Sequence, residues 1–310
     1  MTSPPSNTLL DILIVGGSNA GLSAALVLGR ARRQVVLLNH GQPRNAPSPG
    51  VHGFLTRDGT PPAELRRIAY EQLKPYPSVT VRSGEAAQAR RHAEGFSVTT
   101  RAGETYRARA VLLASGVVDE LPPLPGLAER WGHQVVHCPY CHGWEVRERP
   151  LAVLSNEPWT CEYALTVRGW SDDLVLLTNG PAALDDSERQ RLLRNAIQIN
   201  EHPISRLDAG PEGQVRVVFD DGSLLDRSAL FHRPRQHQAS DLARQLGCEL
   251  HTPIPGTEII QVDPMGQTTV HGVYAAGDAA TMMQQAIVAA SAGMVAASML
   301  NRELLQQDFA

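Results

Sequence analysis

The chain predicts an α/β fold of doubly wound type, and three observations carry that expectation. An apolar run from Asp11 to Val15 breaks at Gly16-Gly17, continues as an Ala/Leu-rich segment from Ala20 to Arg30, and is followed by a second apolar run from Gln34 to Leu38. Near the other end, Val273 to Ala276 enters Gly277-Asp278 and then a long Ala-rich segment. The length of 310 residues suits about two domains, each able to bury its own core.

The elements follow in order. Strand, glycine turn, helix and strand at the start form a βαβ unit of the kind that opens a nucleotide-binding domain. Val79 to Arg82, Gly95 to Thr100 and Glu104 to Arg109 read as short strands with polar alternation, and Ala110 to Ser115 as a buried strand ending at Gly116. Together they complete a mixed sheet. Pro122, Pro123, Pro125 and Gly126 mark a domain crossing near residues 117–125. In the second domain, Leu151 to Ser155, Leu174 to Thr178 and Gln214 to Phe219 are predicted strands, with helices over Cys161 to Arg168 and Asp186 to Asn195. A Gly/Pro-rich return at Thr252 to Gly256 leads back to the closing strand and a helix from Ala286 to Leu300. That helix is shorter than a bilayer span, and its Ala, Gly and Ser content predicts close packing. The first and last segments are assigned to one domain, residues 1–117 and 247–310, interrupted by a middle domain over 118–246. Only a weak duplication of the opening βαβ unit suggests an internal repeat.

Composition narrows the function. Apolar residues make up 42% and charged residues 19%, with 26 glycines and 22 prolines, a globular composition rich in turns. The net charge of -4 offers no cationic field, so no nucleic-acid partner is expected. Lys74 is the only lysine and stands between Leu73 and Pro75, which sets aside chemistry that needs a phosphate-loop lysine or a pyridoxal Schiff base. Met1 to Leu10 has no basic or apolar region of a secretory signal, so a cytoplasmic protein without a membrane partner is expected. Four cysteines are too few for a secreted disulfide framework.

Three motifs carry chemistry. Gly16-Gly17-Ser18-Asn19-Ala20-Gly21 is a G-x-G-x-x-G fingerprint with Ser18 at the middle glycine. Its first glycine allows the tight turn, its last lets helix and strand approach, and the helix start offers N–H groups to a pyrophosphate. The acid expected about 20 residues on, for a ribose, is replaced by the amide of Asn39. In the second motif Gly277 and Asp278 close a strand, so that Asp278 can hold a sugar-chain hydroxyl while N–H groups near Gln284, Gln285 and Ala286 face a flavin ring; a solvated turn aspartate is the plain alternative. The third, Cys138-Pro139-Tyr140-Cys141-His142-Gly143, places two thiols at a spacing that can close a small disulfide ring at a helix start. A zinc knuckle would need a second ligand pair, which Cys161 and Cys248 do not supply, so no metal is expected and those two read as core thiols.

With these motifs in hand, the sequence resembles the low-molecular-weight thioredoxin reductase family over essentially its whole length. The resemblance rests on VGGSNAG, on HGFLTRDG (His52 to Gly59), on HCPYCHGWE (His137 to Glu145) and on GVYAAGDAATMMQQAIVAASAG (Gly272 to Gly293). It implies two Rossmann-like, three-layer ββα domains, the FAD domain discontinuous, and a redox-active Cys138/Cys141 pair carried by the middle domain. It also implies that Cys141 faces the flavin, that Cys138 attacks the substrate disulfide, and that the protein is a homodimer. His142 stands where the family has a proton-handling acid, and a pKa near neutrality is expected to suit it to that role.

One stretch departs from the family pattern. Where the middle domain should show Val-x-Gly-x-Gly-x-x-Ala, the chain reads Val153-Leu154-Ser155-Asn156-Glu157-Pro158-Trp159-Thr160. Side chains occupy a turn that must bring bare N–H groups to a pyrophosphate, and the basic residues for a 2′-phosphate are missing after Leu177. The expected function is therefore an FAD-dependent dithiol/disulfide oxidoreductase that does not use NADPH in the ordinary way. Its substrate is a small dithiol or a thioredoxin-like protein, and its outside partner is O2 or a ferredoxin-like donor. A conventional NAD(P)H-dependent thioredoxin reductase and a non-catalytic flavin-binding redox sensor are the alternatives.

Overall fold

Leucine, isoleucine and valine on both faces of Leu9–Val15 (β1) suit a strand covered on both sides, and the computed structural model, which describes residues 9–310, places it at the centre of the first sheet. The targeting expectation for Met1 to Leu10 thus lies, up to residue 8, outside the described residues. The helix Asn19–Arg30 (α1) follows, then Val35–Asn39 (β2), the helix Pro62–Leu73 (α2) and the strands Val79–Ser83 (β3), Ala86–His92 (β4), Gly95–Thr100 (β5) and Thr105–Leu113 (β6). The sheet order is β3-β2-β1-β6-β5-β4, with the first four strands parallel. Where two strands were expected over 104–115, a single long β6 runs. Its polar-alternating half pairs with β5, and its apolar half lies between β1 and a strand from the far end of the chain.

Val117–Glu120 (β7) then leads to Val135–Val136 (β8), the four-residue helix Pro139–His142 (α3), Leu151–Leu154 (β9), Thr160–Arg168 (α4), Leu174–Leu177 (β10), Asp186–Arg194 (α5) and Gln198–Asn200 (β11). Ile204–Ala209 (β12), Val215–Phe219 (β13) and Leu224–Arg227 (β14) form a separate antiparallel sheet, and Ala229–Phe231 (β15) returns to the parallel sheet β11-β10-β9-β15-β8. The expected strand at Gln214 to Phe219 therefore belongs to the covering layer. Arg235–Gln238 (β16), Leu242–Leu246 (α6), Leu250–Ile254 (β17) and Thr257–Ile260 (β18) come next, and β17-β18-β16-β7 form a small sheet. The Gly/Pro-rich return is thus part of a hairpin, with a register shift between His251 and Ile254 that accommodates Pro253. Val273–Ala275 (β19) and the helix Ala286–Asp308 (α7) end the chain.

The two parallel sheets are packed on the same plan. Ile12, Ile14, Val35 and Leu37 face α1 and α7, while Leu13, Val15, Val36 and Leu38 face a second core that includes Val98 and Leu242. In the middle unit Val153 and Leu176 face α4 and α5, while Leu154 and Val175 face the β12-β13-β14 sheet. Each is helix, parallel sheet and antiparallel β-layer, which is the three-layer arrangement expected. Close packing of the Ala-rich helix is also present: a Cβ at Gly293 would stand 2.0 Å from the Ala20 carbonyl oxygen. Among the described residues, no helix is long and apolar enough to cross a membrane.

Candidate active site

β1 delivers the chain into Gly16 at φ +115°, where a side chain would be strained and its Cβ would stand 2.1 Å from the Ala114 carbonyl oxygen. A Cβ at Gly21 would lie 1.9 Å from the Gly16 carbonyl oxygen, so α1 starts in direct contact with the turn. Ser18 is the N-cap residue of α1 and makes no side-chain capping bond, which leaves the leading N–H groups without a side-chain acceptor. They border a cavity of about 960 Å³, at the upper end of the range for ligand sites. Gly16, Ser18, Ala20 and Asn39 line it on one side, and Gly277, Asp278, Gln285 and Ala286 on another. Gly21 lies beneath the turn rather than in the lining. The Asn39 amide is engaged locally, donating to Tyr70 Oη at 2.7 Å and accepting from the Gly41 N–H at 2.9 Å.

Asp278 is held by a network that the sequence did not announce. Arg44 Nη1 donates to Asp278 Oδ2 at 3.0 Å and to Gln284 Oε1 at 2.7 Å, while Arg44 Nε and Nη2 donate to the two oxygens of Asp119 at 2.7 and 2.8 Å. Gln236 Nε2 adds a bond to Asp119 Oδ1 at 2.9 Å. Burial pushes the Asp278 carboxyl above the usual range, and the Arg44 guanidinium opposes that rise. These groups come from β7, β16 and two loops, so no local spacing links them. The only local sign is a lone arginine in the Gly41-Gln42-Pro43-Arg44 loop.

Cys138 precedes α3, and a disulfide joins it to Cys141 with the Cα atoms 5.2 Å apart. The Cys141 N–H donates to Cys138 Sγ at 3.2 Å, and Gln285 Nε2 donates to both sulfurs at 3.2 and 3.3 Å. Gln285 is the N-cap residue of α7, so the sulfur pair of the middle unit rests against the start of the first unit's long helix. Cys141 and His142 line the cavity, whereas Cys138 is buried outside the lining. Cys161 and Cys248 are buried free thiols.

The expectation that His142 titrates near neutrality is corrected. Burial drives its pKa down to about 4, Glu145 acting to raise it and His52 to lower it. At neutral pH the ring is an uncharged base that can accept a proton. His137 is pushed down to about 3, chiefly by burial, and stacks on Trp131 with ring centroids 5.9 Å apart.

The second turn, between β9 and α4, is filled by its own side chains. Ser155 Oγ and Thr160 Oγ1 share a hydrogen bond of 2.7 Å, and Thr160 Oγ1 accepts the Glu157 N–H at 2.8 Å. Asn156 donates to the Pro181 carbonyl at 2.9 Å and accepts the Ala183 N–H at 2.7 Å, and Glu157 pairs with Arg235 at 3.0 Å. The Trp159 indole N–H is buried without a partner. Among the described residues, no group of three or more His, Cys, Asp or Glu side chains could hold a metal ion.

A glycine cradle opening on a large cavity, with a disulfide at its wall, defines an FAD-dependent oxidoreductase acting on sulfur groups. The chain belongs to the pyridine nucleotide-disulphide oxidoreductase family, whose profile matches residues 10–293. It is 34% identical to thioredoxin reductase sirT of Leptosphaeria maculans, over 100% of this chain and 98% of that protein. Thioredoxin reductase tcpT of Claviceps purpurea is 32% identical, over 97% and 96% of the two chains. Among solved structures, HlmI superposes with a TM-score of 0.91 at 37% identity, covering 97% of this chain and 94% of its own. An oxidoreductase from Agrobacterium tumefaciens gives 0.90 at 34% identity, over 96% and 99%.

Proposed function

We propose that this thioredoxin reductase-like protein exchanges electrons with a thiol substrate through Cys138/Cys141 and FAD, without ordinary use of NADPH. The observation that carries the reading is the filled turn at Ser155 to Thr160, where the Ser155 and Thr160 hydroxyls and the Glu157 N–H are paired with one another and the Glu157 carboxylate with Arg235. A pyrophosphate entering there would have to break these bonds and approach a carboxylate.

The first turn, in contrast, suits FAD: the backbone of Gly16 to Ala20 would receive its pyrophosphate, and Asp278 its sugar-chain hydroxyls. When bound there, FAD supplies two-electron chemistry between the sulfur pair and an outside partner, O2 or a ferredoxin-like protein. The chain's own residues do the rest. In the oxidising direction one substrate thiolate attacks Cys138, the Cys138–Cys141 bond breaks, and Cys141 leaves as a thiolate. The second substrate thiolate then attacks the mixed disulfide and releases Cys138, so that two electrons pass to the pair and the substrate closes its own disulfide. The Gln285 amide and the Cys141 N–H stabilise the sulfur charge, and neutral His142 accepts a thiol proton.

A small dithiol is one substrate class for the pair, whose neighbourhood in the chain also presents exposed apolar side chains. Tyr140, between the two cysteines, is 74% exposed, and Trp144, with the Arg147 guanidinium stacked on its ring, and Met283, two residues before Gln285, are 65% and 63% exposed. A thioredoxin-like protein is the other substrate of this class. Homodimerisation is supported by Ile287, Met294 and Leu305, exposed apolar residues along α7, and by Phe309 just after it. The protein is read as cytoplasmic.

The test is anaerobic mixing of the yellow holoprotein with excess NADPH, then with dithiothreitol, while the flavin band is followed. The dithiol should bleach the flavin and NADPH should not. Bleaching by NADPH at rates typical of turnover, ~10 per second, would overturn the proposal.

A further inference from the structure

We propose that Gln285 is a catalytic residue that places the charge of the reduced sulfur pair, holding Cys138 as the thiolate and Cys141 as the thiol. The proposal rests on the reading of Cys138/Cys141 as the exchanging pair, and adds which sulfur is charged between the two halves of the reaction. Gln285 is the N-cap residue of α7, yet its side chain makes no capping bond to its own helix. It reaches the middle unit instead, where Nε2 lies 3.2 Å from Cys138 Sγ and 3.3 Å from Cys141 Sγ. Oε1 of the same amide lies 3.6 Å from Cys141 Sγ. One side chain thus offers a donor to each sulfur and, among the described residues, an acceptor to Cys141 only.

The two sulfurs are not equivalent to these groups. Cys138 Sγ receives two N–H donors, the Gln285 amide and the Cys141 backbone N–H, both at 3.2 Å. Cys141 Sγ receives one N–H and faces a carbonyl oxygen. A thiolate only accepts, whereas a thiol also donates. Once the disulfide opens, the charge is therefore better satisfied at Cys138, where both neighbours donate, and the proton at Cys141, whose S–H can donate to Gln285 Oε1. With a dithiol substrate the balance closes: two substrate thiols and the Cys138–Cys141 disulfide give the substrate disulfide, the Cys138 thiolate, the Cys141 thiol and one free proton. Two electrons pass to the pair, one S–S bond breaks as another forms, and of the two substrate protons one stays on Cys141.

The same bonds favour reduction. A disulfide sulfur is a weak acceptor and a thiolate a strong one, so both N–H bonds to Cys138 strengthen when the pair is reduced. Whatever the amide adds to the reduced state over the oxidised one makes the pair easier to reduce. Cys138 is buried, which opposes a charge, and the two donors offset that cost. The titratable neighbours in sequence, His137 and His142, are uncharged above about pH 3 and about pH 4. The charged groups that act on those two histidines from other elements are Arg44, Asp119, Arg233, Glu145 and His52. Arg44 and Asp119 are paired with each other, and among the described residues the side chain that hydrogen-bonds the sulfurs is that of Gln285.

Two variants of nearly the same shape test this on the flavin-loaded protein. Gln285→Met removes both donor and acceptor, and Gln285→Glu keeps an acceptor alone. Cysteine Cβ chemical shifts of the pair, held reduced by dithiothreitol, are followed by NMR against pH and assigned with Cys138→Ser and Cys141→Ser. The disulfide is titrated separately against dithiothreitol redox buffers, with acid quenching and thiol trapping as the readout. In the wild type Cys138 should lose its proton at lower pH than Cys141. Gln285→Met should raise the Cys138 value by about one pH unit and make the pair about tenfold harder to reduce, ~30 mV more negative. Gln285→Glu should move both further the same way, since a carboxylate repels the thiolate. A merely structural role would lower the melting temperature and leave the order of the two thiols alone. If Cys141 titrates below Cys138 in the wild type, or if neither variant moves the Cys138 value or the potential, the proposal is overturned, and flavin bleaching by dithiothreitol but not NADPH leaves the function above standing. If NADPH bleaches the flavin while both shifts appear, that function falls and the assignment of the charge to Cys138 is supported.

Discussion

The two strand-turn-helix corners of this protein stand at equivalent places in two similarly layered units, and they have been finished in opposite ways. At Val15 to Gly21 the backbone carries the design: two glycines allow contacts of about 2 Å that no Cβ could share, and the helix start is left without a side-chain cap. At Leu154 to Cys161 the side chains carry it: Ser155, Asn156, Glu157 and Thr160 satisfy one another, the loop after β10 and Arg235. A corner that must receive a ligand keeps its polar groups unpaired and depends on that ligand for satisfaction. A corner that receives none is better stabilised by pairing them internally. On the proposed function, the same parallel-sheet scaffold supports a receptor at one end and a closed structural joint at the other.

The largest expected effect separates the corners directly. Gly21→Val forces a side chain into the Gly16 carbonyl and should cost more than about 4 kcal/mol, read as loss of bound flavin and of the cooperative thermal transition. A variant with full flavin content and an unshifted melting temperature would break the comparison. Acid should separate the units next. His137 and His142, with pKa values lowered to about 3 and about 4, and His232, also lowered by burial, all belong to the middle unit. Their folded values lie below the unfolded value near 6.5, so they cost nothing above that pH, and stability falls as pH drops from about 6.5 towards about 3. The slope is ~1.4 kcal/mol per pH unit for each histidine that stays neutral in the fold. Urea midpoints taken through this window should fall, and hydrogen exchange should show the middle unit opening first.

Smaller effects probe the closed corner. Thr160→Val removes the hydroxyl shared by Ser155 and the Glu157 N–H and should destabilise by about 1–3 kcal/mol in urea melts, with flavin content unchanged. A loss of flavin in this variant would show that the two corners are not independent. Smallest of all, the double change Ser155→Gly with Glu157→Gly should give no NADPH-driven flavin bleaching, since Trp159 and the missing 2′-phosphate arginines remain. Rapid bleaching by NADPH in that variant would mean that the turn alone had excluded the nucleotide.

How much of this was legible in sequence depends on how local each feature is. The opening βαβ unit, the Gly277-Asp278 strand end and the cysteine pair are each written within about ten residues, and the turn residues there have few conformations open to them. The helix Pro62–Leu73 was missed because only Pro62 and Leu73 in it are buried, which leaves almost no apolar period to read. The strand Ala86–His92 was missed because it carries Arg90, Arg91 and His92 on a solvated edge. The sheet of β7, β16, β17 and β18 joins segments more than a hundred residues apart, and the Arg44 network draws on two of its strands and two distant loops. The Gln285 side chain was visible only as part of a motif, with no tie to the sulfurs, because its partners are set by the fold. The pKa of His142 was misjudged for the same reason: adjacency to Cys141 is in the sequence, and burial is not.

Strand β16 has a consequence for how the molecule is used. Its consecutive residues Arg235 and Gln236 reach in opposite directions, Arg235 to Glu157 in the middle unit and Gln236 to Asp119 and Gln284 beside Asp278. Parting the two units would break either the Arg235 pair or the Gln236 bonds, whichever side β16 does not follow, together with the Gln285 bonds to the sulfurs. The sulfur pair is thus held by the same joint that holds the two units together, and what loosens the one loosens the other.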